Sequence, residues 1–299
     1  MTGTPPLVRV ERDGGVRLLT ICRPPGNYLS LALAAQLRDI ALLLANDREA
    51  RVVLLQSDVP GFFIAHADLE ELAAIEGPPV LVRVPLFATL RLFAHLGPVG
   101  RWLVDVALRN VNPIYQAIEA LHRLPAVTIA LVEGRVGGVG SELSMALDMR
   151  FGASGLAVVN QLEGACGAFP GAGGTQRLPR LLGPGRASEV IFGSDDLDAE
   201  TAERWGYFNR VLPKDEIRPF VYELAARIAR FPPSGIRRAK QLMRAAVGVD
   251  PTLLRLEALD FIEAVLSEPS RGLIRRFVER SGQHTNATRL GAFNSELHK

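Results

Sequence analysis

The feature that most restricts the fold of this chain is a repeated order of short apolar runs, turns and amphipathic helices in its first two thirds. Residues 51–56 and 126–132 are short apolar runs with β-branched side chains, as in buried strands. Residues 31–45 carry apolar side chains at positions 33, 37, 40, 41 and 44, which is the spacing of an amphipathic helix. This alternation predicts an α/β fold in which helices pack on sheets.

Turn and cap residues mark the ends of these elements. A glycine-containing turn at residues 13–15 joins runs at 8–10 and 16–21, which predicts a β-hairpin. Asp68 predicts a helix N-cap, and Glu71, three residues later, completes the pattern of a capping box. After residue 180 the strand signal weakens, and helices are predicted at 186–192, 199–205, 214–231, 234–246, 251–266 and 271–280.

Composition and motif searches exclude several classes of function. The 34 basic and 32 acidic side chains leave a formal net charge of +2, so no overall field attracts nucleic acid or acidic lipid. Cys22 and Cys166 fit no CxxC pattern, which argues against a zinc ribbon and a disulfide framework. The chain has no Gly-Lys pair for a phosphate loop, and the third glycine of GxGxxG falls on Leu143 and on Gln176. We expect a soluble, cytoplasmic protein with neither nucleic-acid nor membrane partners.

Two segments combine a strand end, a turn and a helix start. Residues 61–69 lead into the helix capped by Asp68, and residues 132–143 pass through a glycine-rich turn into a helix predicted at 141–149. The first backbone N–H groups of a helix have no partner within it. Two such donors directed at one carbonyl oxygen would form an oxyanion hole, which stabilises negative charge on oxygen.

A third segment, residues 170–178, reads Pro-Gly-Ala-Gly-Gly-Thr-Gln-Arg-Leu. Together the three segments resemble the crotonase superfamily, the enoyl-CoA hydratase/isomerase family. Residues 26–30, 146–150 and 199–211 are similar to further motifs of that family. The resemblance extends over about residues 8–212.

This resemblance implies a crotonase-like (ClpP/crotonase) α/β fold, a spiral of ββα units with a C-terminal helical subdomain. Residues 1–212 would form the spiral core with the acyl-CoA site, and residues 213–299 a helical region for oligomerisation. The implied assembly is a homotrimer or homohexamer.

The resemblance also implies roles for individual residues. The backbone N–H groups of Ala67 and Val139 would form the oxyanion hole, and Glu142 and Glu163 would be the catalytic carboxylates that hydrate a 2-enoyl-CoA to a 3-hydroxyacyl-CoA. The implied substrate-binding residues are Ala65, His66, Asp68, Leu69, Gly138 and Gly171. No metal and no cofactor is implied, since coenzyme A is part of the acyl-CoA substrate.

Four positions depart from the family pattern. His66 replaces a glycine before the oxyanion alanine, Val139 replaces the middle glycine of a triplet, and Leu162 replaces the proline before the second glutamate. Glu70 stands where the family often has a lysine for a CoA phosphate. We expect His66 to line the pocket wall or to pack locally.

Three alternatives stay open from the residues alone. A double-bond isomerase needs only one carboxylate to move a proton between C2 and C4. Thioester hydrolysis and decarboxylation are further activities of the fold. A non-catalytic, oligomeric binding protein would result if the changes at His66 and Val139 disabled the oxyanion hole.

Residues 77–123 form an unusually long and apolar insert between the motifs. Two placements of its helices are predicted. They either pack as additional core or as an interface, or they roof a tunnel for the acyl group of the substrate, with Phe87 and Phe93 next to that acyl group. In the second placement, arginines of the insert would keep its outer face soluble or meet CoA phosphates; these are Arg83, Arg91, Arg101 and Arg109.

Overall fold

The computed structural model describes residues 6–286. Its strands are β1 Val8–Asp13, β2 Val16–Ile21, β3 Val52–Ser57, β4 Gly61–Ile64, β5 Val127–Val132, β6 Gly134–Gly137, β7 Met149–Ala153, β8 Val158–Asn160, β9 Leu197–Asp198 and β10 Arg210–Leu212. Its helices are α1 Leu31–Ala45, α2 Leu69–Ala74, α3 Val80–His95, α4 Gly97–Val111, α5 Pro113–His122, α6 Val139–Ala146, α7 Gly174–Leu182, α8 Pro184–Gly193, α9 Ala199–Trp205, α10 Lys214–Ala229, α11 Pro233–Val247, α12 Pro251–Val265 and α13 Ser270–Asn286.

The chain passes alternately between two sheets. The larger sheet has the order β1-β2-β3-β5-β7-β10, and the smaller has the order β4-β6-β8-β9. Neighbouring strands pair in parallel except in the β1–β2 hairpin and the β8–β9 pair. Because β3, β5 and β7 lie in the larger sheet and the next strand after each lies in the smaller one, the chain repeats a ββα unit. This confirms the predicted α/β spiral.

Local sequence patterns fix several element bounds. Helices α1 and α9 begin and end at the predicted residues, since the side chains of Ser30 and Asp198 accept hydrogen bonds from the N–H groups of Leu33 and Thr201. The predicted hairpin is also present, with Asp13 opposite Val16 in the register of β1 and β2.

Two sequence predictions near the middle of the chain are wrong. Residues 134–137 were expected in a turn but form strand β6, because pairing with β4 and β8 overrides the turn preference of their glycines. The helix expected at 141–149 runs from Val139 to Ala146, and Met149 starts strand β7 instead. Pairing of β7 with β5 supplies the backbone hydrogen bonds that a longer helix would have used.

The helices after residue 212 pack on both sides of this framework. Helix α10 covers the larger sheet, where Ile217 and Val221 are buried against Leu54 and Ile129. Helix α12 contacts α3 and α4, and α13 contacts α2. The C-terminal helices therefore lie over segments that precede the middle of the chain.

The insert packs as a helical hairpin on α12. Phe87 and Leu108 are buried in the same apolar cluster as Leu259. The ion pairs between the hairpin and α12 are Arg91–Asp260 at 2.6 Å, Arg91–Glu263, and Arg255–Asp105 at 2.8 Å.

The two arginines of α3 were expected on the outer face of the insert, but both bind groups in or next to α12. Arg83 is buried and donates to the carbonyl oxygen of Leu266 at 2.6 Å, and Arg91 is paired with acidic side chains of α12. The outer surface of the hairpin is apolar instead, with Leu81 90% exposed and Trp102 57% exposed. The hairpin thus attaches to α12 through an apolar cluster and ion pairs, and it also exposes apolar side chains.

Candidate active site

The start of helix α6 lies unusually close to strand β4. A Cβ atom added to Gly140 would lie 2.5 Å from the carbonyl oxygen of Ile64, so only glycine allows this approach. Gly138, just before the helix, has φ +48°, and a Cβ there would lie 2.7 Å from Oε1 of Glu163. The glycine-rich sequence therefore brings the helix start against the end of β4 and leaves room for a carboxylate.

Two backbone N–H groups are brought to one cleft by this contact. Ala67 forms an isolated parallel bridge with Leu29, in which the carbonyl of His66 and the N–H of Asp68 make the hydrogen bonds. Val139 is the first residue of α6. Among the described residues, neither the Ala67 nor the Val139 N–H group has a hydrogen-bond acceptor. The valine has an ordinary negative φ, and the left-handed conformation falls on Gly138.

Glu142 is a buried carboxylate held by backbone donors. It is 2% exposed, and its Oε1 accepts hydrogen bonds from the N–H groups of Ala172 and Gly174, each at 2.7 Å. Burial raises the pKa of Glu142, and the two backbone donors oppose that shift because they stabilise the charged form. The arrangement holds an ionisable group rigidly inside the protein.

Glu163 is the second carboxylate of the cleft, on a half-buried residue. Its Oε1 lies beside Gly138, and its Oε2 is buried without a hydrogen-bond partner among residues 6–286. Burial, followed by the nearby charge of Glu142, raises the pKa of Glu163 to about 8. At neutral pH this side chain therefore retains its proton in the folded protein.

One cleft gathers most of the predicted site residues. It contains about 620 Å³ of empty space, including its opening to solvent. The predicted residues that line it are His66, Ala67, Leu69, Val139, Glu142, Glu163 and Gly171. The other predicted substrate-binding residues, Ala65, Asp68 and Gly138, lie next to these residues in the chain but are absent from the lining.

His66 packs locally and also lines the cleft, as expected. Its ring lies 4.7 Å from the ring of Tyr28, and its Nδ1 is 2.6 Å from the carbonyl oxygen of Ala67. Burial lowers the pKa of His66 to about 4, so the ring is neutral at pH 7. A neutral ring that donates from Nδ1 leaves Nε2 as an acceptor.

Asp68 has a structural role in this arrangement. Its carboxylate accepts from the N–H group of Glu71 at 3.2 Å and pairs with Arg23 at 2.5 Å. The predicted capping box is incomplete, because Glu71 accepts from the N–H group of Leu31 and not from that of Asp68. The Glu71 side chain therefore links α2 to the start of α1.

Sequence patterns missed the wall that later segments contribute. Further lining residues are Leu72, Asn112, Ile114, Leu162, Cys166, Ala168, Ala172, Phe261, Val265 and Ile274. Of the described residues of the insert at 77–123, only Asn112 and Ile114 line the cleft, whereas Phe87 and Phe93 pack on α12 and do not roof it. Periodicity predicts helices α12 and α13 but carries no signal for what they cover.

Comparisons with known proteins identify the family of this chain. A model of the family "Enoyl-CoA hydratase/isomerase" matches residues 109–285. The chain is 33% identical to methylglutaconyl-CoA hydratase of Mus musculus over 80% of this chain and 69% of that protein. It is 30% identical to short-chain-enoyl-CoA hydratase of Clostridium acetobutylicum over 91% of this chain and 95% of that protein.

A solved structure is similar over almost the whole chain. It comes from Streptomyces avermitilis and is provisionally described as an enoyl-CoA hydratase; its TM-score is 0.80 at 31% identity, over 99% of this chain and 98% of that one. The chain belongs to the enoyl-CoA hydratase/isomerase family, within the crotonase superfamily. Within residues 6–286, no helix is long and apolar enough to cross a bilayer.

The raised pKa of Glu163 predicts a pH-dependent stability. An ordinary glutamate ionises near 4.5, so between about pH 5 and pH 8 the folded protein keeps a proton that the unfolded chain has lost. The stabilising contribution of this group to the free energy of unfolding therefore falls as pH rises. The Glu163→Gln variant cannot ionise, and its free energy of unfolding relative to the original chain should rise over this interval by on the order of 1–3 kcal/mol. Urea unfolding across this range measures the difference.

The exposed Glu11 on β1 supplies the control, because Glu11→Gln removes a carboxyl outside the cleft. The stability difference of Glu163→Gln should change with pH by more than that of this control variant. Equal changes for the two variants would contradict the raised pKa.

Proposed function

We propose that this protein hydrates a 2-enoyl-CoA to a 3-hydroxyacyl-CoA. The observation that carries the proposal is one cleft with two backbone N–H groups that lack acceptors among the described residues and two glutamates, of which Glu142 is buried and Glu163 has a buried carboxylate oxygen. Hydration of an enoyl thioester needs donors for the charge on oxygen, a base for water and an acid for C2. The names of the relatives, which are hydratases, support the same reaction.

The N–H groups of Ala67 and Val139 form the proposed oxyanion hole. As water adds to C3, the acyl group becomes enolate-like and negative charge develops on the thioester oxygen. Both donors belong to the backbone, so the unusual side chains at His66 and Val139 do not remove them. This favours a catalytic cleft over a binding site without activity.

Glu142 is the proposed base and Glu163 the proposed acid. Two backbone donors favour the ionised form of Glu142, whereas Glu163, whose Oε2 is buried without a partner among the described residues, keeps its proton at neutral pH. Glu142 takes a proton from water as the water oxygen bonds to C3, and Glu163 gives its proton to C2. A proton must then pass from Glu142 to Glu163 to restore the starting state.

The substrate meets the cleft through its lining residues in this proposal. His66, Leu69 and Gly171 contact the acyl-CoA, whereas Asp68 caps the N-terminus of α2 and does not line the cleft. No metal and no separate cofactor takes part, because the two glutamates and the two N–H groups carry out every proton transfer and charge stabilisation that hydration needs.

The first test concerns the two glutamates. Glu142→Gln and Glu163→Gln should each lower kcat for crotonyl-CoA by about a hundredfold or more, the scale expected when a general acid or base is lost. Loss of the absorbance of the conjugated enoyl thioester measures the rate, and thermal unfolding confirms that each variant is folded.

Glu223→Gln is the matched control, since Glu223 lies on α10, which covers the larger sheet, and is exposed to solvent. Its rate should stay within about twofold of the original chain, as expected of a surface change outside the site. Full activity of Glu163→Gln beside an inactive Glu142→Gln would point to a one-carboxylate reaction such as double-bond isomerisation.

The acyl chain is proposed to be uncharged and apolar. No lysine or arginine is among the described residues that line the cleft, and its inner wall includes Leu72, Val265 and Ile274. A terminal carboxylate on the acyl chain would lose its water next to two glutamates without gaining a cation.

Two substrates with equal carbon number test this. The kcat/KM for 2-pentenoyl-CoA should exceed that for glutaconyl-CoA, which differs by a terminal carboxylate, by about a hundredfold, equivalent to roughly 2.7 kcal/mol. Equal values would contradict an uncharged acyl site and would suit substrates like that of the methylglutaconyl-CoA hydratases.

The proposed assembly is a homotrimer or homohexamer in the cytoplasm. The exposed apolar surface of α3 and α4 supports association, since patches of this kind mark interfaces. Both cysteines are free thiols, which suits a reducing compartment. Light scattering at micromolar concentration should give three or six times the chain mass of 32.4 kDa, and a monomer mass would contradict the assembly.

A further inference from the structure

Glu257 on α12 is a buried carboxylate that the proposed hydration does not use. It is 6% exposed, and the other buried residues of α12 are apolar except Arg255, which pairs with Asp105. Its Oε1 accepts from the N–H group of Gly173, and its Oε2 accepts from the hydroxyl of Thr175. Burying an acidic side chain costs folding free energy unless hydrogen bonds replace those it made with water.

The loop that Glu257 holds is the same loop that holds Glu142. Three consecutive N–H groups alternate between the two carboxylates: those of Ala172 and Gly174 point to Glu142, and that of Gly173 between them points to Glu257. Gly173 has φ +111°, a conformation that favours glycine, so the loop turns sharply between its two acceptors. The loop is thereby fixed from both sides.

The arginine beside this loop, Arg177, binds groups other than Glu257. Arg177 donates to the carbonyl oxygen of Ala172 at 2.8 Å and to the carboxylate of Glu119 at 2.6 Å. Within the described residues, no lysine or arginine pairs with Glu257. Burial, followed by the charge of Glu142, raises the pKa of Glu257 to about 8. The contacts of Glu257 are therefore directed at the loop and not at a counter-ion.

We infer that Glu257 is a positioning residue, which anchors the loop at Gly173 so that the N–H groups of Ala172 and Gly174 converge on Glu142. This inference rests on the proposed function, in which Glu142 is the base. Glu257 is absent from the lining of the cleft, so it acts through Glu142 and not on the substrate. Helix α12 then takes part in catalysis by fixing the base.

Two variants separate the hydrogen bonds from the charge. Gln in place of Glu257 keeps an oxygen for the N–H group of Gly173 and can donate to Thr175, whereas Leu keeps the volume and removes both contacts. Glu257→Gln should keep kcat for crotonyl-CoA within about threefold, and Glu257→Leu should lower it about tenfold or more with little change in KM. Thr175→Val, which removes one of the two contacts, should fall between them and serves if the leucine variant does not fold.

A double-mutant cycle distinguishes positioning from a general structural role. If Glu257 acts through Glu142, Glu257→Leu should cost nothing further in the Glu142→Gln background. Glu263→Leu is the control on the same helix, because Glu263 pairs with Arg91 away from the loop, and kcat should stay within about twofold of the original chain. A loss that persists in the Glu142→Gln background, or equal rates for Glu257→Gln and Glu257→Leu, would overturn the inference.

Hydrogen exchange tests the anchor without reference to activity. Glu257→Leu should speed exchange of the amides of residues 172–174, and Glu263→Leu should not. If the original chain hydrates no enoyl-CoA, the proposed function fails, whereas unchanged exchange in Glu257→Leu overturns the anchoring itself. The two failures are therefore distinguishable.

Discussion

The close approach of helix α6 to strand β4 is the contact on which the rest of the cleft depends. Gly140 meets the carbonyl of Ile64 at a distance that no side chain allows. The N–H group of Ala67 lies three residues beyond that contact in one segment, and the N–H group of Val139 lies one residue before it in the other. A larger residue at position 140 would separate the sheet from the helix and move both donors apart.

Local patterns predict the elements that are encoded within a few residues. The bounds of α1 follow from its periodicity and the Ser30 cap, and the hairpin follows from its turn. Contacts between distant segments are not encoded in this way, and they decide that residues 134–137 form a strand and that Glu71 binds the start of α1. The family motifs indicate Glu142, whereas the wall from α12 and α13 lies beyond them. Glu257 left a weak signal, an acid at an apolar position of α12.

The surroundings of the cleft are more acidic than folding alone favours. Glu142, Glu163 and Glu257 lie close together, and burial raises the pKa of each. The nearby Arg177 is paired with a different carboxylate, that of Glu119. Buried groups of one charge sign destabilise the folded state unless they are protonated or hydrogen-bonded. Such local costs are typical of sites where a chain is selected for chemistry and not for stability.

The origin of the cleft wall has a consequence for the order in which the protein matures. One side comes from residues 66–72, another from residues 139–172, and the last from Phe261, Val265 and Ile274 on α12 and α13. A chain still on the ribosome can complete the sheets once β10 has emerged, but the wall over the glutamates is then missing. Val265 and Ile274 share one apolar cluster with Leu162 and Cys166, on either side of Glu163 in the chain, so the last helices of the sequence close the cleft that the earlier segments leave open.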